Sequence, residues 1–393
     1  MDFELSPELQ ALRNQVRAFI DRAVIPLEPH ENEEDGLPAE LLTRVRQQAR
    51  DAGVWAPQLP REYGGLGLNT LGLCVVFEEA GRSPLGPLAL NCAAPDEGTM
   101  HLLLKAAAPE QRARYLQPLA EGRTRSCFAM TEPAPGAGSD PTMLLTRAVW
   151  HGDRWVLNGR KWFTSGARGA AFAVVAAVTD PDAPPRQGMT LFVVEAGTPG
   201  YEIVRSIPTL TSGGPGGHCE VSLVNCALGE GQILGRVGEG FKLMQVRLGP
   251  ARLTHCMRWL GAAGRAVALA TAYVRERRAF GKHLAEQQAV QWMLADSAIE
   301  LHASRLMVLH AAWQLDRGDE ARRETSMCKV FVAEAAGRVI DRALQLCGAA
   351  GISRDLPLER LYRDVRAFRI YDGPSEVHRM VIARQLLKEA ELG

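Results

Sequence analysis

The spacing of apolar residues changes twice along this chain of 393 residues, and the two changes divide it into three zones. Residues 1–125 show the spacing of helix faces, starting with the N-cap and helix-start signal Ser6-Pro7. Residues 126–235 instead contain short apolar runs between Pro, Gly and Asp clusters, which is typical of strands. Long helical patterns return over residues 236–393. We therefore predict a multidomain α+β protein with an N-terminal helical domain, a small antiparallel β domain and a C-terminal four-helix bundle.

The composition and charge exclude several classes of partner. The chain is 46% hydrophobic and 23% charged, with a formal net charge of zero. These values predict a soluble globular protein with neither a nucleic-acid partner nor an affinity for membranes. Eight cysteines without a C-x-x-C motif, and nine histidines without a ligand cluster, indicate reduced thiols and no metal site. The first residues do not resemble a signal peptide, and the longest apolar run, Ala170 to Val178, is too short to span a membrane. We expect a cytoplasmic protein.

A short turn near the C-terminus carries a carboxylate, in the stretch Ile370-Tyr371-Asp372-Gly373-Pro374-Ser375-Glu376. Asp372 is on a Gly-Pro turn, between an aromatic-aliphatic run and a predicted final helix. A carboxylate at a helix entrance can cap the helix, or it can be a base that points into a pocket. The turn signal by itself favours the first interpretation and leaves the second open.

Two segments at the start of the β zone carry residue types that bind a polar ring or a phosphate. The first, Cys127 to Asp140, mixes two prolines and two glycines with hydroxyls and carboxylates, which leaves many backbone N–H groups free. Its alternative is a domain linker, and no G-x-G-x-x-G motif indicates a Rossmann site. The second, Gly159 to Gly166, places Trp162 and Thr164 on one face of a predicted strand, where they could support a flat ring. A strand Trp is otherwise more often a core residue.

Together with Glu276-Arg277-Arg278-Ala279-Phe280-Gly281-Lys282, these segments resemble the acyl-CoA dehydrogenase family of flavoproteins. The resemblance covers nearly the whole chain, and the motifs occur in the family's order. It implies an N-terminal helical domain over 1–125, a middle antiparallel β-barrel domain over 126–235 and a C-terminal four-helix bundle over 236–393. It also implies FAD as the cofactor, an acyl-CoA as the substrate and an electron-transferring flavoprotein as the electron acceptor.

The resemblance further implies roles for individual residues. Asp372 falls where the family most often carries its catalytic Glu, so it would remove the substrate's α-proton. Burial beside an apolar acyl chain would raise its pKa. Some family members place the base just before the residue equivalent to Arg252, but that position is Ala251 here. The residues implied to contact FAD are Phe128, Met130, Thr131, Ser139, Trp162, Thr164, Pro374, Ser375 and Glu376. Those implied to contact the substrate are Ser139, Arg252, Tyr371 and Gly373.

A second set of residues resembles the part of the family that binds the FAD of a neighbouring subunit. This set consists of Arg277, Phe280, Gln287, Gln288, Gln345, Gly348 and Ala349. Shared FAD implies that a homodimer is the smallest complete unit, and a homotetramer is equally compatible. An ordinary helix C-cap is the alternative interpretation of the glycine-rich turn after Gln345.

Two rival functions remain open on the sequence alone. Nitroalkane oxidases and flavin-dependent monooxygenases occur on the same fold, and nitroalkane oxidases use an Asp base and let the reduced flavin react with oxygen. A non-catalytic scaffold that binds flavin or nucleic acid is the third interpretation. Zero net charge and the retained carboxylate disfavour the scaffold.

Overall fold

The structure, a computed structural model, describes residues 4–211 and 213–392. Its N-terminal part is helical, as predicted. The Ser6 hydroxyl caps the first helix by accepting a hydrogen bond from the Leu9 N–H at 3.3 Å. The helices of this part are α1 (Pro7–Phe19), α2 (Ala39–Asp51), α3 (Thr70–Ala80), α4 (Gly86–Ala89), α5 (Asp96–Ala106), α6 (Pro109–Gln111) and α7 (Gln117–Ala120).

The middle part is one eight-stranded sheet. Its strands are β1 (Ser126–Ala129), β2 (Arg147–Trp150), β3 (Trp155–Ser165), β4 (Phe172–Val178), β5 (Met189–Glu195), β6 (Tyr201–Ser206), β7 (His218–Leu228) and β8 (Ile233–Leu234). Their order is β6-β7-β3-β2-β4-β5-β8, and β1 pairs with β4. Most pairs are antiparallel, but β4 runs parallel to both β1 and β2. The predicted antiparallel pairing is therefore correct for most strands and wrong for β4 with β1 and β2, because the long connections between these strands permit parallel pairing.

The C-terminal part is a helical bundle arranged around one central helix. The predicted four-helix bundle corresponds to α8 (Gly240–Glu276), α9 (Gln288–Asp316), α10 (Arg322–Cys347) and α13 (Ser375–Leu392). A hairpin of β9 (Arg278–Ala279) and β10 (Lys282–His283) separates α8 from α9, and α11 (Ala349–Ile352) and α12 (Leu358–Phe368) follow α10. The central helix α10 packs against α8, α9, α12 and α13.

The three parts share one core. Helix α3 of the N-terminal part packs against α8 and α9 of the bundle. Phe77 on α3, Val174 on β4 and Leu253 on α8 belong to the same cluster of buried apolar residues. The site described below lies where these parts meet.

Residues 4–211 and 213–392 contain no helix long and apolar enough to cross a membrane. Within the same ranges, no group of three or more His, Cys, Asp or Glu side chains could hold a metal ion. All eight cysteines are buried and have free thiols.

Candidate active site

The turn between α12 and α13 has a special backbone conformation. Asp372 and Gly373 are consecutive residues with positive φ, of 54° and 98°. Asp and Asn adopt this left-handed region more readily than other non-glycine residues, because their short side chains bond locally. A Cβ at Gly373 would also lie 2.7 Å from the His378 Nε2. The backbone therefore favours a short carboxylate followed by glycine at this position.

The Asp372 carboxylate points into the protein. Its side chain is only 18% exposed, and its Oδ2 lies 3.1 Å from Nε2 of His255 on α8, which is 15% exposed. The carboxylate accepts no capping hydrogen bond from α13 in the described residues, and the N–H of Ser375 donates to the Arg369 carbonyl instead. Of the two interpretations of this turn, the geometry favours the buried base.

The predicted direction of the Asp372 pKa shift is wrong. Burial does raise the pKa of this carboxyl, but the hydrogen bond from His255 and the charges of Arg247 and Arg252 lower it more. The net pKa is well below the usual range. The prediction took the surroundings to be apolar, whereas α8 brings two guanidinium groups to the pocket. Asp372 is therefore ionised at neutral pH.

Side chains from three helices hold the turn through its carbonyl groups. Arg252 on α8 donates from Nε to the Asp372 carbonyl oxygen at 3.0 Å, and Nε2 of His378 on α13 lies 3.2 Å from the same oxygen. Lys329 on α10 donates to two other carbonyl oxygens of this region, at 2.5 and 3.5 Å. Burial lowers the pKa of Lys329 to about 8 and that of His378 to about 4. Arg252, predicted to contact the substrate, thus anchors the turn in this structure.

Aromatic rings form a wall beside the predicted base. The Tyr371 hydroxyl accepts a hydrogen bond from the Trp259 Nε1 at 2.7 Å. The centroid of the Tyr371 ring lies 4.8 Å from that of His255 and 5.4 Å from that of Phe368. Burial raises the pKa of Tyr371 far above its usual range, so its hydroxyl stays protonated. Tyr371 therefore lies next to the base, as the prediction that it flanks the reacting group requires.

Arg247 connects the predicted base to the β domain. It lies on α8 and is 7% exposed, with its guanidinium carbon 4.2 Å from the centroid of the Phe128 ring on β1. It donates to the Pro95 carbonyl at 3.2 Å, and its positive charge helps to lower the pKa of Asp372. One buried cation therefore touches a residue predicted to line the flavin and also acts on the predicted base.

Three further residues predicted to line the flavin lie together on the β domain. The Trp162 N–H donates to the Thr131 carbonyl at 2.8 Å. Next to them, a buried ion pair joins the Lys161 Nζ to the Glu132 Oε1 at 2.8 Å, and Lys161 also donates to the Met130 carbonyl at 3.2 Å. Burial lowers the pKa of Lys161 to about 8, although Glu132 opposes this shift. The ion pair fixes the segment after β1 against β3.

The prediction that Trp162 and Thr164 share a strand face is wrong. A β-bulge between Lys161 and Thr164 places two residues of β3, Trp162 and Phe163, opposite a single residue of β7. Thr164 is fully buried opposite Cys219, which belongs to the core of the β domain. Its hydroxyl has no hydrogen-bond partner there. The side chains therefore do not alternate regularly between the two faces of β3 across the bulge, as the sequence had suggested.

At and beside the bulge lie two residues that the sequence did not indicate, Phe163 and Ser165. Phe163 has a φ of 51° and is 41% exposed. The Ser165 Oγ lies 2.8 Å from the His218 Nδ1, and the Phe163 ring centroid lies 5.7 Å from that of His218. An aromatic ring and a hydroxyl thus stand close together beside Trp162, which is the combination that we expected from Trp162 and Thr164.

The remaining predicted contacts differ in their burial. Ser139, on the loop after β1, and Glu376, in the first turn of α13, are exposed, while Pro374 is half-buried. Ser375 is 2% exposed, and its Oγ has no hydrogen-bond partner. A buried hydroxyl without a partner is a group that a bound ligand can satisfy.

The residues around this cleft fit a flavin. The Arg247 Nε and the Ser375 Oγ are buried polar atoms without partners, as the edge of a polar heterocycle requires. Phe128 and Trp162 supply flat apolar surface beside them, and both are half-buried. Donors near the polar edge of a flavin make it a better electron acceptor.

The second predicted set lies at the opposite end of the bundle. Arg277 caps the C-terminus of α8, and Phe280 in the hairpin that follows is 95% exposed with a φ of 52°. From Arg247 to Arg277 the chain advances about 45 Å, at roughly 1.5 Å per residue of helix. The end of α10 and the chain before α9 pack into one cluster at this end. The other members of the set are the half-buried Gln287 and the exposed Gln288, Gln345, Gly348 and Ala349.

Three residues of the site were missed in the sequence, of which two are buried and one is half-buried. They are Arg247, His255 and Arg258, which all lie on α8. Their spacing of i, i+8 and i+11 places them on one helix face among apolar residues. Polar residues within an apolar helical stripe are the signal that could have found them.

Comparisons with known proteins cover nearly the whole chain. The family descriptions "Acyl-CoA dehydrogenase, N-terminal domain", "middle domain" and "C-terminal domain" match residues 6–123, 127–226 and 238–387. The Mycobacterium tuberculosis protein named "Probable acyl-CoA dehydrogenase FadE2" is 41% identical over 396 residues, which cover 98% of this chain and 96% of that protein. Acyl-CoA dehydrogenase family member 10 of Mus musculus is 39% identical over 98% of this chain, which spans 37% of that longer protein. The crystal structure of acyl-CoA dehydrogenase from Geobacillus kaustophilus has a TM-score of 0.86 and 30% identity, and covers 98% of this chain and 100% of that one.

Proposed function

This chain belongs to the acyl-CoA dehydrogenase family of FAD-dependent oxidoreductases, and we propose that it converts an acyl-CoA thioester to the 2-enoyl-CoA with Asp372 as base. The substrate's α C–H bond breaks, and its proton goes to the Asp372 carboxylate. The β C–H bond breaks as hydride, and an α,β double bond forms. FAD, when bound, supplies the two-electron acceptor for that hydride.

The observation that carries the proposal is the placement of Asp372 relative to Phe128. Arg247 contacts the Phe128 ring at 4.2 Å, and its charge acts on the carboxylate of Asp372. A ring bound against Phe128 and the carboxylate of Asp372 would therefore both lie close to Arg247. Such an arrangement permits both C–H bonds of the substrate to break from opposite faces.

The turn also offers a donor for the thioester oxygen. The Asp372 N–H makes no hydrogen bond to another described residue, while its carbonyl is held by Arg252 and His378. A fixed and unpaired backbone N–H next to the base can stabilise negative charge that develops on a carbonyl oxygen. We assign this role to the Asp372 N–H.

We propose Phe128, Met130, Thr131, Trp162, Pro374, Ser375 and Glu376 as the residues near the flavin ring, with Ser139 at the edge of the site. Thr164 also stays in this set, because its buried Oγ1 has no hydrogen-bond partner, and Ser165, whose Oγ is paired with His218, is a second hydroxyl beside it. Tyr371, Gly373 and Arg252 would border the thioester end of the substrate. The electrons would pass to an electron-transferring flavoprotein, which family membership alone supports.

The residues at the far end of the bundle would bind the FAD of a partner subunit. About 45 Å of helix separates Arg277 from Arg247, at roughly 1.5 Å per residue, which is too far for one FAD to contact both ends. Phe280, 95% exposed, is the apolar group that a partner or its cofactor would cover. A homodimer or homotetramer follows from this arrangement.

The decisive experiment is anaerobic mixing of the holoprotein with a panel of straight, branched and aryl acyl-CoAs. Loss of the oxidised flavin absorbance with at least one thioester is expected. Asp372→Asn should keep its FAD and its fold but lose reduction by about 10²- to 10⁴-fold, the range for a general base. Retained turnover in Asp372→Asn would place the base elsewhere.

One observation favours a second candidate function. The lowered pKa of Asp372 suits the deprotonation of a stronger carbon acid than an acyl thioester, and nitroalkanes are such acids. A nitroalkane oxidase or a monooxygenase that is reoxidised by oxygen is the resulting alternative. Bleaching by nitroalkanes but by none of the thioesters, with rapid oxygen consumption, would support it.

A further inference from the structure

We propose that His255 is the positioning residue of the base, because its Nε2–H holds one oxygen of Asp372 and leaves the other free for the substrate's α-proton. The inference rests on the proposed function, in which Asp372 is the base. It concerns a histidine that no motif in the sequence indicated. The two atoms that carry it, His255 Nε2 and Asp372 Oδ2, are 3.1 Å apart.

The tautomer of His255 follows from its second neighbour. The Arg258 Nη1 lies 3.4 Å from the His255 Nδ1. A guanidinium can only donate hydrogen bonds, so Nδ1 must be the acceptor. In a neutral imidazole the proton is then on Nε2, the nitrogen that faces Asp372. His255 therefore donates to the carboxylate.

The same geometry excludes His255 as the base. Its only lone pair, on Nδ1, faces Arg258 and not the cleft. Its Nε2–H is directed to Asp372, so neither nitrogen is free to accept a proton from a substrate. Asp372 Oδ1, by contrast, makes no hydrogen bond to another described residue. Of the two side chains, Asp372 alone offers an open acceptor.

Arg258 is itself held by the N-terminal domain. Its Nη2 lies 3.0 Å from Oε2 of Glu97 on α5 and donates to the Cys92 carbonyl at 2.8 Å. The hydroxyl of Thr254 donates to the same Glu97 oxygen at 3.3 Å. A chain of buried polar groups thus runs from α5 through α8 to the turn, Glu97 to Arg258 to His255 to Asp372. Such a connected chain restricts the orientation of each member, although the Arg258 Nε has no partner in it.

The charges that face this chain come from several elements. Arg247 and Arg252 on α8 act on Asp372, and Lys329 on α10 and His378 on α13 are affected by its charge in turn. Arg258 and Glu97 act on His255. Arg247 and Arg252 would remain after a change at His255, so the carboxylate would still be attracted to cations. A change at His255 therefore removes one contact to Asp372 and leaves the others in place.

The test replaces His255 with Phe, which fills similar space without a donor, and with Gln, which retains an N–H. His151→Gln, at an exposed histidine in the turn between β2 and β3, is the matched control. Protonation of Asp372 is followed in the holoprotein without substrate by isotope-edited infrared difference spectra. Asp372→Asn identifies the band that belongs to this carboxyl.

We expect His255→Phe to protonate Asp372 at a pH about one to two units higher than the unchanged protein, the effect of losing one hydrogen bond to a charged group. Flavin reduction at neutral pH should fall about 10- to 100-fold, because the carboxylate is no longer oriented. His255→Gln should restore part of both properties, and His151→Gln should change neither.

Two other outcomes separate the two proposals. If His255→Phe titrates like the unchanged protein while Asp372→Asn is inactive, the positioning role is refuted and the base remains. If Asp372→Asn still reduces its flavin, the proposed base is refuted regardless of the titration. Should His255→Phe lose its FAD or its fold, His255→Leu takes its place as the variant without a donor. Protonation of Asp372 at a higher pH in His255→Leu than in His255→Gln supports the N–H contact, and equal titrations of these two variants contradict it.

Discussion

Asp372 combines a buried position with a charge that its neighbours keep. Its pKa is lowered in the folded protein, mainly through His255, Arg247 and Arg252, against the effect of burial. A carboxyl whose pKa is lower in the folded than in the unfolded protein stabilises the fold at pH values above its unfolded-state pKa. This stabilisation is lost as the pH falls through the pKa of the folded state. From weakly acidic to basic pH the Asp372 carboxylate is therefore ionised and able to accept a proton.

The buried ion pair of Lys161 and Glu132, beside the proposed flavin site, gives a prediction at the same scale. The side chains of Lys161 and Glu132 are 0% and 2% exposed. Lys161→Met should destabilise the protein by about 3–5 kcal/mol, because it leaves a buried carboxylate without its cation. The FAD content should fall as well, since Lys161 also holds the Met130 carbonyl. Urea unfolding and the ratio of flavin to protein absorbance measure the two effects.

Arg154→Met is the matched control for this change. Arg154 pairs with Asp153 at 2.7 Å, but their side chains are 56% and 66% exposed. Exposed pairs contribute little to stability, so this variant should unfold at nearly the same urea concentration as the unchanged protein. Equal midpoints for both variants would show that the buried pair does not stabilise the loop.

The sequence led to the proposal that Asp372 is the base, but it did not predict the electrostatics of this carboxyl. The turn motif alone favours a helix cap, and only the resemblance to the family assigns Asp372 the role of base. The sign of its pKa shift depends on Arg247, Arg252 and His255, which are distant in sequence and adjacent only after α8 has packed against the turn. Local patterns contain no information on such contacts.

Helix α8 is the element on which the site is built, and its glycines give the second prediction. A Cβ at Gly261 would lie 1.8 Å from the Glu78 carbonyl oxygen on α3, whereas a Cβ at Gly264 would meet nothing within 4 Å. Gly261→Ala should cost about 1–3 kcal/mol, since α3 and α8 must move apart. Gly264→Ala should instead add about 0.5–1 kcal/mol, because Ala is the better helix former.

Thermal unfolding of the two variants side by side separates packing from helix propensity. The substitutions are the same in chemistry and only three residues apart on one helix. A stabilised Gly261→Ala would mean that α3 does not approach α8 as closely as the structure shows. A destabilised Gly264→Ala would mean that this face is covered by something other than solvent.

The long helices were predicted well, and the irregular elements were not. Apolar periodicity predicts long helices from Phe241 to Arg278, Glu286 to Arg317, Glu320 to Leu346 and Ser375 to Lys388. These segments agree within a few residues with α8, α9, α10 and α13, because apolar periodicity is strongest in long helices. The bulge in β3 has no such signal, since one extra residue shifts the alternation without changing the composition. Helix α12 was not predicted. It carries a stripe of buried residues, but with only 11 residues its periodicity is a weak signal; the stripe consists of Leu358, Leu361, Val365 and Phe368.

For the whole molecule, the order of helical, β and helical parts followed from the sequence, and the parallel pairing of β4 with β1 did not. The path of the long connections decides which strands become neighbours. The short apolar runs that form the strands are compatible with several strand orders in the sheet. The meeting of the three parts at one site follows from a shared core that includes Phe77, Val174 and Leu253.

The third prediction concerns assembly. Arg277→Ala should weaken FAD retention and subunit association together, because Arg277 is proposed to contact the cofactor of a partner. Arg275→Ala, at an exposed arginine in the last turn of the same helix, is the control and should change neither. Size-exclusion chromatography with light scattering gives the oligomer size, and the flavin absorbance gives the occupancy. Unchanged values for Arg277→Ala would contradict a shared cofactor.

The length of α8 has a consequence for mixed assemblies. One continuous helix of 37 residues carries the residues around Asp372 at one end and Arg277 at the other. In the proposed dimer each site therefore takes one end from each subunit. Co-expression of Asp372→Asn with Arg277→Ala would place both defects in one site and leave its twin intact, so two crippled chains would complement each other.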